Sequence, residues 1–594
     1  MDKRLRALRQ ILREQKLAGF LIPHTDEHQS EYTPSYADRL AWLTGFKGSA
    51  GLAVVSLDRA AIYVDGRYTL QVRDQVDLKK FNVLKLHKDP AEDWFMENLK
   101  SGDVIGYDPW LHNKVWLSKA EKKMAAKNIT LKAVKNNLID EIWSDRPSPS
   151  KAPARVQNDQ YSGEKSPAKR KRIAAQIKAE GADVLVITSL DSIAWLFNIR
   201  GSDVDCTPLV LSFAILHSSS KAELYIDPDK MSDEVINHLG KQVTIYPKED
   251  FVGALKNLGK SGQKAMVDPK RTHSAVFEAL RSENAVVIEK EDPILLDKAC
   301  KNDVELAGTR AAHIRDAVAV CRFLCWIDKH GPSGKIDEID AVEKLYDFRK
   351  DVPLFQGNSF DTISGAGSNG AIVHYSVTKE TSKKLKKDML YLVDSGGQYL
   401  DGTTDITRTI ALGETTEKQR NNFTRVLKGH IALAQARFPE GRTGAHLDTL
   451  ARKPLWDVGL DFDHGTGHGV GSYLGVHEGP QSISPLSHNV PLKPGMILSN
   501  EPGYYKAGEY GIRIENLVIV SISEFEEEER PMLTFETITL APIDKRLVNA
   551  HMMSAAEITW FNIYHAKVRE IIAPLLSGKE KAWLLEATES ITTL

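Results

Sequence analysis

The apolar residues of the first 150 or so positions follow two alternating spacings, which predict helices and strands in turn. Up to about Lys16 the apolar residues lie three or four positions apart, the spacing of an amphipathic helix. The short apolar runs GFLIP, GLAVVS and AAIYVD follow, and such runs are typical of buried strands. The pattern therefore predicts an α/β domain at the start of the chain.

The same order of patterns returns further along the chain. A charged helix, KRKRIAAQIKAEG, precedes GADVLVITSLDSIAWLFNIRG and AELYID. Trp42 and Trp195 lie 153 positions apart and Tyr63 and Tyr225 lie 162 apart, each pair in matching local contexts. We infer two copies of one domain. The segment between them, SDRPSPSKAPARVQNDQYSGEKSP, is rich in Pro, Ser and charge, which indicates an exposed connection and places the boundary near residue 155.

A third domain is predicted to begin after EDPILLDKACKND, where a long helical pattern runs to Gly331. The predicted domains are residues 1–155, 156–300 and 301–594, the second being a repeat of the first. From about residue 545 the pattern is helical and is expected to continue as helix to near the end. The apolar stripe of this extension packs on its own domain by default, or else covers a neighbouring subunit.

Composition narrows the class of protein. The 594 residues include 78 basic and 80 acidic side chains, a balance that favours neither nucleic acid nor an anionic membrane as a partner. The four cysteines are few and irregularly spaced, which favours a reducing compartment, and Cys321 and Cys325 are interpreted as core thiols. No apolar run approaches the ~20 residues that cross a bilayer. Asp2 and Glu14 in the first helix disfavour a mitochondrial presequence, so we expect a cytoplasmic protein.

Two aspartates in the third domain are candidates for metal binding. Asp394 ends the apolar run MLYLVDSGG, and Asp405 follows eleven positions later in GTTDITRT. A lone aspartate is most often a turn or capping residue. Together, across a predicted hairpin, the two carboxylates can meet on one face.

Three further motifs add potential ligands. HGTGHGVG, from His464 to Gly471, leaves two histidines among glycines that allow close approach of the backbone to a ligand; no Gly-Lys-Ser/Thr ending marks it as a phosphate loop. Glu501 ends the apolar run GMILSNEPG, and Glu515 lies in GIRIENLVIV on the same side of a strand as Arg513. A salt bridge with Arg513 is the alternative interpretation of Glu515, and surface histidines are the alternative for the glycine motif.

The joint occurrence of these residues favours a metal site over the separate alternatives. The candidate ligands are one imidazole and four carboxylates: Asp394, Asp405, His468, Glu501 and Glu515. Hard oxygen donors suit Mn²⁺, Co²⁺ or Zn²⁺ and disfavour a metal that prefers thiolates. Two such ions ~3.5–4 Å apart can hold a bridging water and lower its pKa, leaving a hydroxide to attack a carbonyl carbon. The sequence therefore predicts a two-metal hydrolase.

These motifs resemble a known family, the pita-bread metallopeptidases, and within it the three-domain cytosolic Xaa-Pro aminopeptidases. The resemblance runs nearly end to end, through HQSEY, GFKGSAG, DGRYTLQ, IAWLFNIRGSD, AIVHYS, VDSGGQYLDGTTDITRT, HGTGHGVGSYLGVHEGP, SNEPGYY and GIRIEN. It implies an α/β (α+β) chain in which two similar creatinase N-terminal-like domains precede a pita-bread catalytic domain. It also implies a homodimer with two divalent ions per subunit, for which we expect Mn²⁺, with Zn²⁺ or Co²⁺ as alternatives.

The resemblance also implies individual roles. Asp394 would hold one metal, His468 and Glu501 the other, and Asp405 and Glu515 would bridge both. His374, His464 and His477 match histidines that bind substrate, stabilise the tetrahedral intermediate or relay protons, for which a near-neutral pKa is suited. Glu501 is the natural acceptor of the proton from the attacking water. Arg67 matches an arginine that contacts substrate, although a surface turn explains it equally well, and we assign Arg513 to substrate binding also.

The activity implied is removal of the N-terminal residue from peptides whose second residue is proline. An Xaa-Pro bond lacks the N–H that general aminopeptidases require, so a dedicated site is needed. One alternative is a prolidase, with the same fold and metals but acting on dipeptides, against which the duplicated N-terminal domain argues. A catalytically silent pita-bread scaffold is the other alternative, and the complete ligand set argues against it.

Overall fold

The chain divides into two compact units. The computed structural model describes residues 2–486, 489–524 and 529–592. Unit 1 contains Met1–Asp159 and Glu164–Ile294, and unit 2 contains Gln160–Gly163 and Leu295–Leu594. Among the described residues, no helix combines the length and the apolar character needed to cross a membrane.

Unit 1 contains two six-stranded sheets with the same strand order. Across the first sheet the strands are Asn82–Lys85, Ala60–Val64, Gly51–Ser56, Gly19–Pro23, Val104–Tyr107 and Thr130–Ala133. Across the second they are Val243–Tyr246, Ala222–Ile226, Ser212–His217, Val184–Ile187, Lys264–Val267 and Val286–Glu289. Each sheet has five strand pairings in this order. The first, fourth and fifth are parallel, and the second and third are antiparallel. The predicted repeat is confirmed, and Tyr63 and Tyr225 occupy equivalent strands.

Helices cover these sheets. With the first sheet lie Asp2–Glu14, Arg39–Thr44, Gln71–Gln75, Ala91–Asn98, Lys114–Ala125 and Leu138–Ile142. With the second lie Ser166–Ala179, Leu190–Phe197, Asp233–Leu239, Phe251–Lys260 and Ser274–Arg281. Phe20 and Ile22 pack in one core cluster and Leu21 in another, so the strand Gly19–Pro23 is buried on both faces. Such two-sided burial explains why GFLIP reads as a continuous apolar run.

Unit 2 is built mainly on antiparallel strands. A three-stranded sheet contains Ile363–Ala366, Leu390–Ser395 and Ile406–Ala411. A six-stranded sheet contains, in order, Arg437–Pro439, Met532–Thr537, Asn516–Ser523, Ile497–Asn500, Gly467–Gly469 and Glu478–Ile483. Smaller sheets pair Gly503–Lys506 with Tyr510–Arg513, Ser333–Asp337 with Lys384–Lys386, and Phe355–Asn358 with Gly397–Tyr399 and Gly402–Thr403. These strands hold every candidate ligand at or next to a strand end.

The helices of unit 2 follow the predicted order with one difference. They are Asp303–His330, Glu338–Lys350, Glu417–Ala434, Gly444–Trp456, Ala555–Ile572 and Gly578–Ala587, and Ile294–Ala299 leads into the unit. The predicted long helix ends at His330, before Gly331. The C-terminal helix predicted to run unbroken from about residue 545 begins instead at Ala555 and is interrupted after Ile572. Pro574 lies in this interruption, and a proline inside a helix removes a hydrogen bond and clashes with the preceding turn.

Candidate metal centre

Strand pairing brings the two aspartates together. Leu390–Ser395 pairs antiparallel with Ile406–Ala411, and in this register Asp394 lies opposite Thr407 and Ser395 opposite Ile406. Asp405 immediately precedes Ile406, so its carboxylate lies at the same end of the strand pair as Asp394. This is the arrangement that the predicted hairpin required.

Another strand pair brings the two glutamates together. Asn500 and Asn516 are partners in the pairing of Ile497–Asn500 with Asn516–Ser523. Glu501 follows the first of these residues and Glu515 precedes the second, so both glutamates leave the sheet at one end. Thr407 joins this pair to the aspartates, because its hydroxyl donates to Glu515 Oε2 at 2.7 Å.

His468 lies on the short strand Gly467–Gly469 and faces the carboxylates. Its Nε2 is 3.4 Å from Asp405 Oδ2 and 3.5 Å from Glu501 Oε1. Ligand atoms of Asp405, His468 and Glu515 all lie within 4.8 Å of one another, close enough to hold one ion. Of the five predicted ligands, these three therefore form the tightest group, with Glu501 beside His468.

The glycines around His468 have a packing role that differs from the one expected. A Cβ on Gly467 would lie 2.0 Å from the Ser499 carbonyl oxygen, and a Cβ on Gly469 would lie 2.0 Å from that of Glu478. The close approach that these glycines permit is thus to the neighbouring strands rather than to a ligand. They allow His468 to occupy the middle of a tightly packed sheet.

The buried oxygens of this cluster fit a bound cation. Within the described part of the chain, no group donates a hydrogen bond to Asp394 Oδ1, Asp405 Oδ1 or Glu515 Oε1. Burial, together with the nearby Asp394 and Glu501 carboxylates, holds the pKa of Asp405 well above its ordinary value. Burial and the Asp405 and Asp394 carboxylates raise the pKa of Glu515 in the same way. Unpaired buried carboxylates of this kind are costly unless a cation compensates them.

Oxygen donors with one imidazole are the ligands of Mn²⁺, Co²⁺ or Zn²⁺ sites. Among the described arginines, Arg513 is the one that forms an ion pair with a candidate ligand, its Nη2 donating to Asp394 Oδ2 at 2.6 Å. A single positive charge does not balance four carboxylates. The residues present therefore fit divalent metal ions.

Of the three candidate histidines, His477 lies beside His468 and His374 lies near His477. The His477 ring is 4.2 Å from the His468 ring, in an edge-on arrangement, and the His374 ring lies 6.4 Å from His477. All three rings are partly exposed, which leaves them open to a substrate. Their predicted catalytic roles stay predictions.

His464 joins a network that sequence reasoning did not identify in full. Its Nε2 lies 2.9 Å from the Tyr505 hydroxyl, and Arg513 Nη1 donates to the same hydroxyl at 2.6 Å. Arg513 is 1% exposed and also donates from Nε to Thr407 Oγ1 at 3.1 Å. Tyr505 and Thr407 were not predicted as site residues, although their motifs, NEPGYY and DITRT, were noted. The predicted contact of Arg513 with substrate stays a prediction.

Arg67 belongs to unit 1 and is paired there. It lies in the short 3₁₀ helix Gly66–Tyr68, where its guanidinium forms ion pairs with Glu31 at 3.0 Å and with Asp65 at 2.7 Å. Its side chain is 20% exposed. Its predicted role in substrate binding also stays a prediction.

Family models match almost the whole chain. Creatinase/prolidase N-terminal domain models match residues 4–142 and 145–305, a metallopeptidase family M24 model matches residues 307–521, and a model of the C-terminal region of peptidase M24 matches residues 531–591. Together with the carboxylate cluster, these matches define the class as a metallopeptidase with two creatinase-type domains and a pita-bread domain. The predicted fold class is confirmed.

Full-length relatives narrow the class. The chain is 40% identical to "Probable Xaa-Pro aminopeptidase P" of Aspergillus fumigatus over 99% of this chain and 93% of the relative. It is 39% identical to "Aminopeptidase P1" of Arabidopsis thaliana over the full length of both. The chain therefore belongs to metallopeptidase family M24, among the relatives named Xaa-Pro aminopeptidase P.

Comparison with solved structures supports the same family assignment. The crystal structure of X-prolyl aminopeptidase from Caenorhabditis elegans, described as a cytosolic enzyme with a di-nuclear active site, superposes with a TM-score of 0.95 at 34% identity over 99% of both chains. The Xaa-Pro dipeptidase from Bacillus anthracis matches 64% of this chain and 99% of its own, at 24% identity and a TM-score of 0.51. The second likeness shows the fold alone.

Proposed function

We propose that this chain is a metal-dependent aminopeptidase that hydrolyses the N-terminal Xaa-Pro bond of peptides. The observation that carries the proposal is the convergence of Asp405, His468 and Glu515, together with buried carboxylate oxygens that lack a donor. The full-length relatives named for this activity supply the substrate class. The C. elegans enzyme supplies the precedent for a di-nuclear site.

Five side chains would hold two divalent ions: Asp394, Asp405, His468, Glu501 and Glu515. When bound, the ions supply Lewis-acid polarisation of the scissile carbonyl and acidify the attacking water. We propose Mn²⁺, because four of the five ligands offer oxygen, with Zn²⁺ or Co²⁺ as alternatives. By the resemblance, Asp405 and Glu515 would help to hold both ions; each is buried and has one oxygen without a donor among the described residues.

Glu501 has the environment of a general base. Burial raises the pKa of its carboxyl, and Ser499 Oγ donates to Oε1 at 3.1 Å, which fixes its orientation. It takes the proton of the attacking water and delivers it to the ring nitrogen of the leaving proline. That nitrogen carries no hydrogen in the substrate, so a proton must be delivered for the bond to break.

The histidines would act on the substrate side. His477 lies beside His468 and His374 lies near His477, and both would donate to the carbonyl oxygen on which charge develops. His464 is oriented by Tyr505, which Arg513 fixes in turn. We assign Arg67 to substrate binding on the resemblance of its motif; in this structure its guanidinium pairs with Asp65 and Glu31.

Three finer assignments belong to the same proposal. A homodimer follows from the resemblance to enzymes that are commonly dimers. A cytoplasmic location is supported by the C. elegans enzyme, which is described as cytosolic. Peptides with proline at the second position are the proposed substrates.

Turnover of Arg-Pro-Pro and Gly-Pro in the presence of Mn²⁺ tests the proposal. We expect release of arginine from Arg-Pro-Pro, and its loss in both Asp405→Ala and Glu515→Ala. Asp347→Asn is a matched control, because Asp347 is exposed on a helix of the same unit. Hydrolysis of Gly-Pro alone would identify a prolidase instead. Absence of turnover from a protein that binds two ions would favour the silent scaffold.

A further inference from the structure

Arg408 is a buried arginine on the strand that follows Asp405. It lies in Ile406–Ala411 and is 3% exposed. Its guanidinium donates to six acceptors at 2.6–2.9 Å: the carbonyl oxygens of Thr407, Glu515, Ala541 and Pro542, the Asn516 side-chain oxygen and the Tyr564 hydroxyl. Every N–H group of the side chain can thus be satisfied.

These acceptors belong to three parts of unit 2. Thr407 belongs to the strand entered from Asp405, and Glu515 and Asn516 mark the start of the strand Asn516–Ser523. Ala541, Pro542 and the helix Ala555–Ile572, which carries Tyr564, lie in the region matched by the C-terminal M24 model. One guanidinium therefore fastens two strands of the candidate metal centre to each other and to the C-terminal region.

Arg408 has no anionic partner of its own. Among the described residues, no carboxylate forms an ion pair with it, and its acceptors are neutral oxygens. Burying a charge without a paired counter-charge is expensive, and hydrogen bonds to carbonyl groups offset only part of that cost. Arg349, in the same unit, is also fully buried but forms an ion pair with Asp316 at 2.8 Å. Burying Arg408 without a paired counter-charge therefore destabilises the fold, so we look for its role in the neighbouring centre rather than in stability.

Two of those acceptors lie at the carboxylate cluster: Thr407 is close in sequence to Asp405, and Glu515 is itself a candidate ligand. Arg408 Nη1 binds the main-chain oxygens of both Thr407 and Glu515, and the Thr407 hydroxyl donates to Glu515 Oε2. Arg408 thereby fixes the spacing between the two chain segments from which Asp405 and Glu515 project. A lysine cannot reproduce this, because its ammonium has three donors and lacks the planar fork.

We propose that Arg408 is a positioning residue for the metal centre. Arg408 holds Asp405 and Glu515 in the geometry that binds two ions, and it makes that geometry depend on the packing of the C-terminal region. The inference rests on the proposed function in so far as the centre binds metal. It adds a residue that contacts neither metal nor substrate and acts through Thr407 and Glu515.

Titration of metal-free protein with Mn²⁺ by calorimetry tests the proposal without relying on turnover. We expect Arg408→Lys and Arg408→Met to weaken the binding of at least one ion by about 10- to 100-fold, the range found when groups that orient metal ligands are removed. Tyr564→Phe removes one acceptor at the far end of the side chain and should weaken binding by a smaller factor. With Mn²⁺ bound, the electron paramagnetic resonance signal of a coupled pair should give way to that of isolated ions.

Arg170→Met is the matched control. Arg170 is a buried arginine of unit 1, 1% exposed, whose guanidinium donates to the Ser220 carbonyl oxygen. We expect this change to lower the midpoint of thermal unfolding of metal-free protein while leaving Mn²⁺ affinity unchanged. If Arg170→Met and Arg408→Met lost Mn²⁺ affinity equally, Arg408 would affect metal binding only through the overall stability of the fold. That result would overturn the proposal.

The closing comparison separates the two proposals. If the unaltered protein binds no Mn²⁺, the proposed function fails. If the unaltered protein binds two ions and Arg408→Lys and Tyr564→Phe bind them with unchanged affinity, the role of Arg408 alone is refuted. The second outcome remains decisive even if Arg408→Met does not fold.

Discussion

Glu478 and Glu515 are both buried glutamates of unit 2, and they satisfy their charges in opposite ways. The Glu478 carboxylate is clasped by Lys301 at 2.6 Å and Lys298 at 2.8 Å, and all three side chains are 1% exposed. Glu515 instead faces Asp405, and its Oε1 has no donor among the described residues. The first region carries its own counter-charges, whereas the second carries an excess of negative charge.

The difference shows how a binding centre can be told from a structural ion cluster. Buried charges persist when they are paired, and a buried set that lacks pairing within the chain needs an ion from outside. The cluster of Glu478, Lys298 and Lys301, which we call the lysine clasp, has its counter-charges within the chain and needs no added ion. The acidic cluster needs cations, and this physical requirement, more than the residue types alone, supports the proposal that it is the functional centre.

Asp405→Asn should give the largest effect and should separate activity from stability. We expect kcat/KM on Arg-Pro-Pro to fall by at least about 1,000-fold, because loss of one ligand removes several kcal/mol of charge stabilisation. The metal-free variant should nevertheless unfold at a higher temperature than the metal-free parent, since one of four repelling carboxylates is gone. Kinetic assays and thermal unfolding in excess chelator measure the two effects. A lower unfolding temperature would mean that Asp405 is stabilised by a partner within the chain.

The acidic centre could be predicted from the sequence because its motifs are local. Each ligand ends or follows an apolar run, and strand ends gather where strands pair. Thr407 and Tyr505 lie inside those same motifs but were missed, because nothing in their local pattern shows that a hydroxyl meets Glu515 or Arg513. Side-chain contacts of that kind depend on register, which local sequence does not determine.

The lysine clasp could not be predicted in the same way. Lys301 and Glu478 are 177 positions apart, and DPILLDKACKND was interpreted only as a domain break. Lysine and glutamate are usually exposed, so the sequence gives no reason to expect three of them buried together. The repeated domain of unit 1 was easier to predict, because its strands are buried on both faces and appear in the sequence as continuous apolar runs that occur twice.

Glu478→Gln should produce the opposite stability change to Asp405→Asn. It removes the negative charge that pairs with two buried lysines, and breaking a buried ion pair costs about 3–5 kcal/mol of the free energy of unfolding. Combining Glu478→Met with Lys298→Met and Lys301→Met should recover most of the loss, because apolar residues of similar volume replace the ion cluster. Denaturant titration of metal-free protein checks both. A stabilised Glu478→Gln variant would show that the clasp and the acidic centre do not differ as described.

Chelation should act on the acidic centre and spare the lysine clasp. Saturating Mn²⁺ at about 100 times its dissociation constant for one site stabilises the folded state by about 2.7 kcal/mol. We therefore expect a chelator to lower the unfolding temperature of the parent and of the triple methionine variant alike. The decrease should be much smaller in Asp405→Asn, which binds metal weakly at the outset. Differential scanning calorimetry measures these decreases. An equal decrease in all three proteins would mean that the stabilising ion binds outside the acidic centre.

Thr407→Val should give the smallest change in metal binding and test whether the Thr407 hydroxyl matters at the centre. The substitution keeps the side-chain shape and removes the donor to Glu515 Oε2, so that Glu515 loses its orientation while keeping its charge. We expect Mn²⁺ to bind about 10-fold more weakly, equivalent to about 1.4 kcal/mol. Metal-free stability should fall as well, because Arg513 Nε loses its acceptor. Thr559→Val is the control, because Thr559 is exposed on a helix and bonds only its own helix backbone. Unchanged Mn²⁺ affinity in Thr407→Val would show that burial alone, without the threonine hydroxyl, orients Glu515 for the ions.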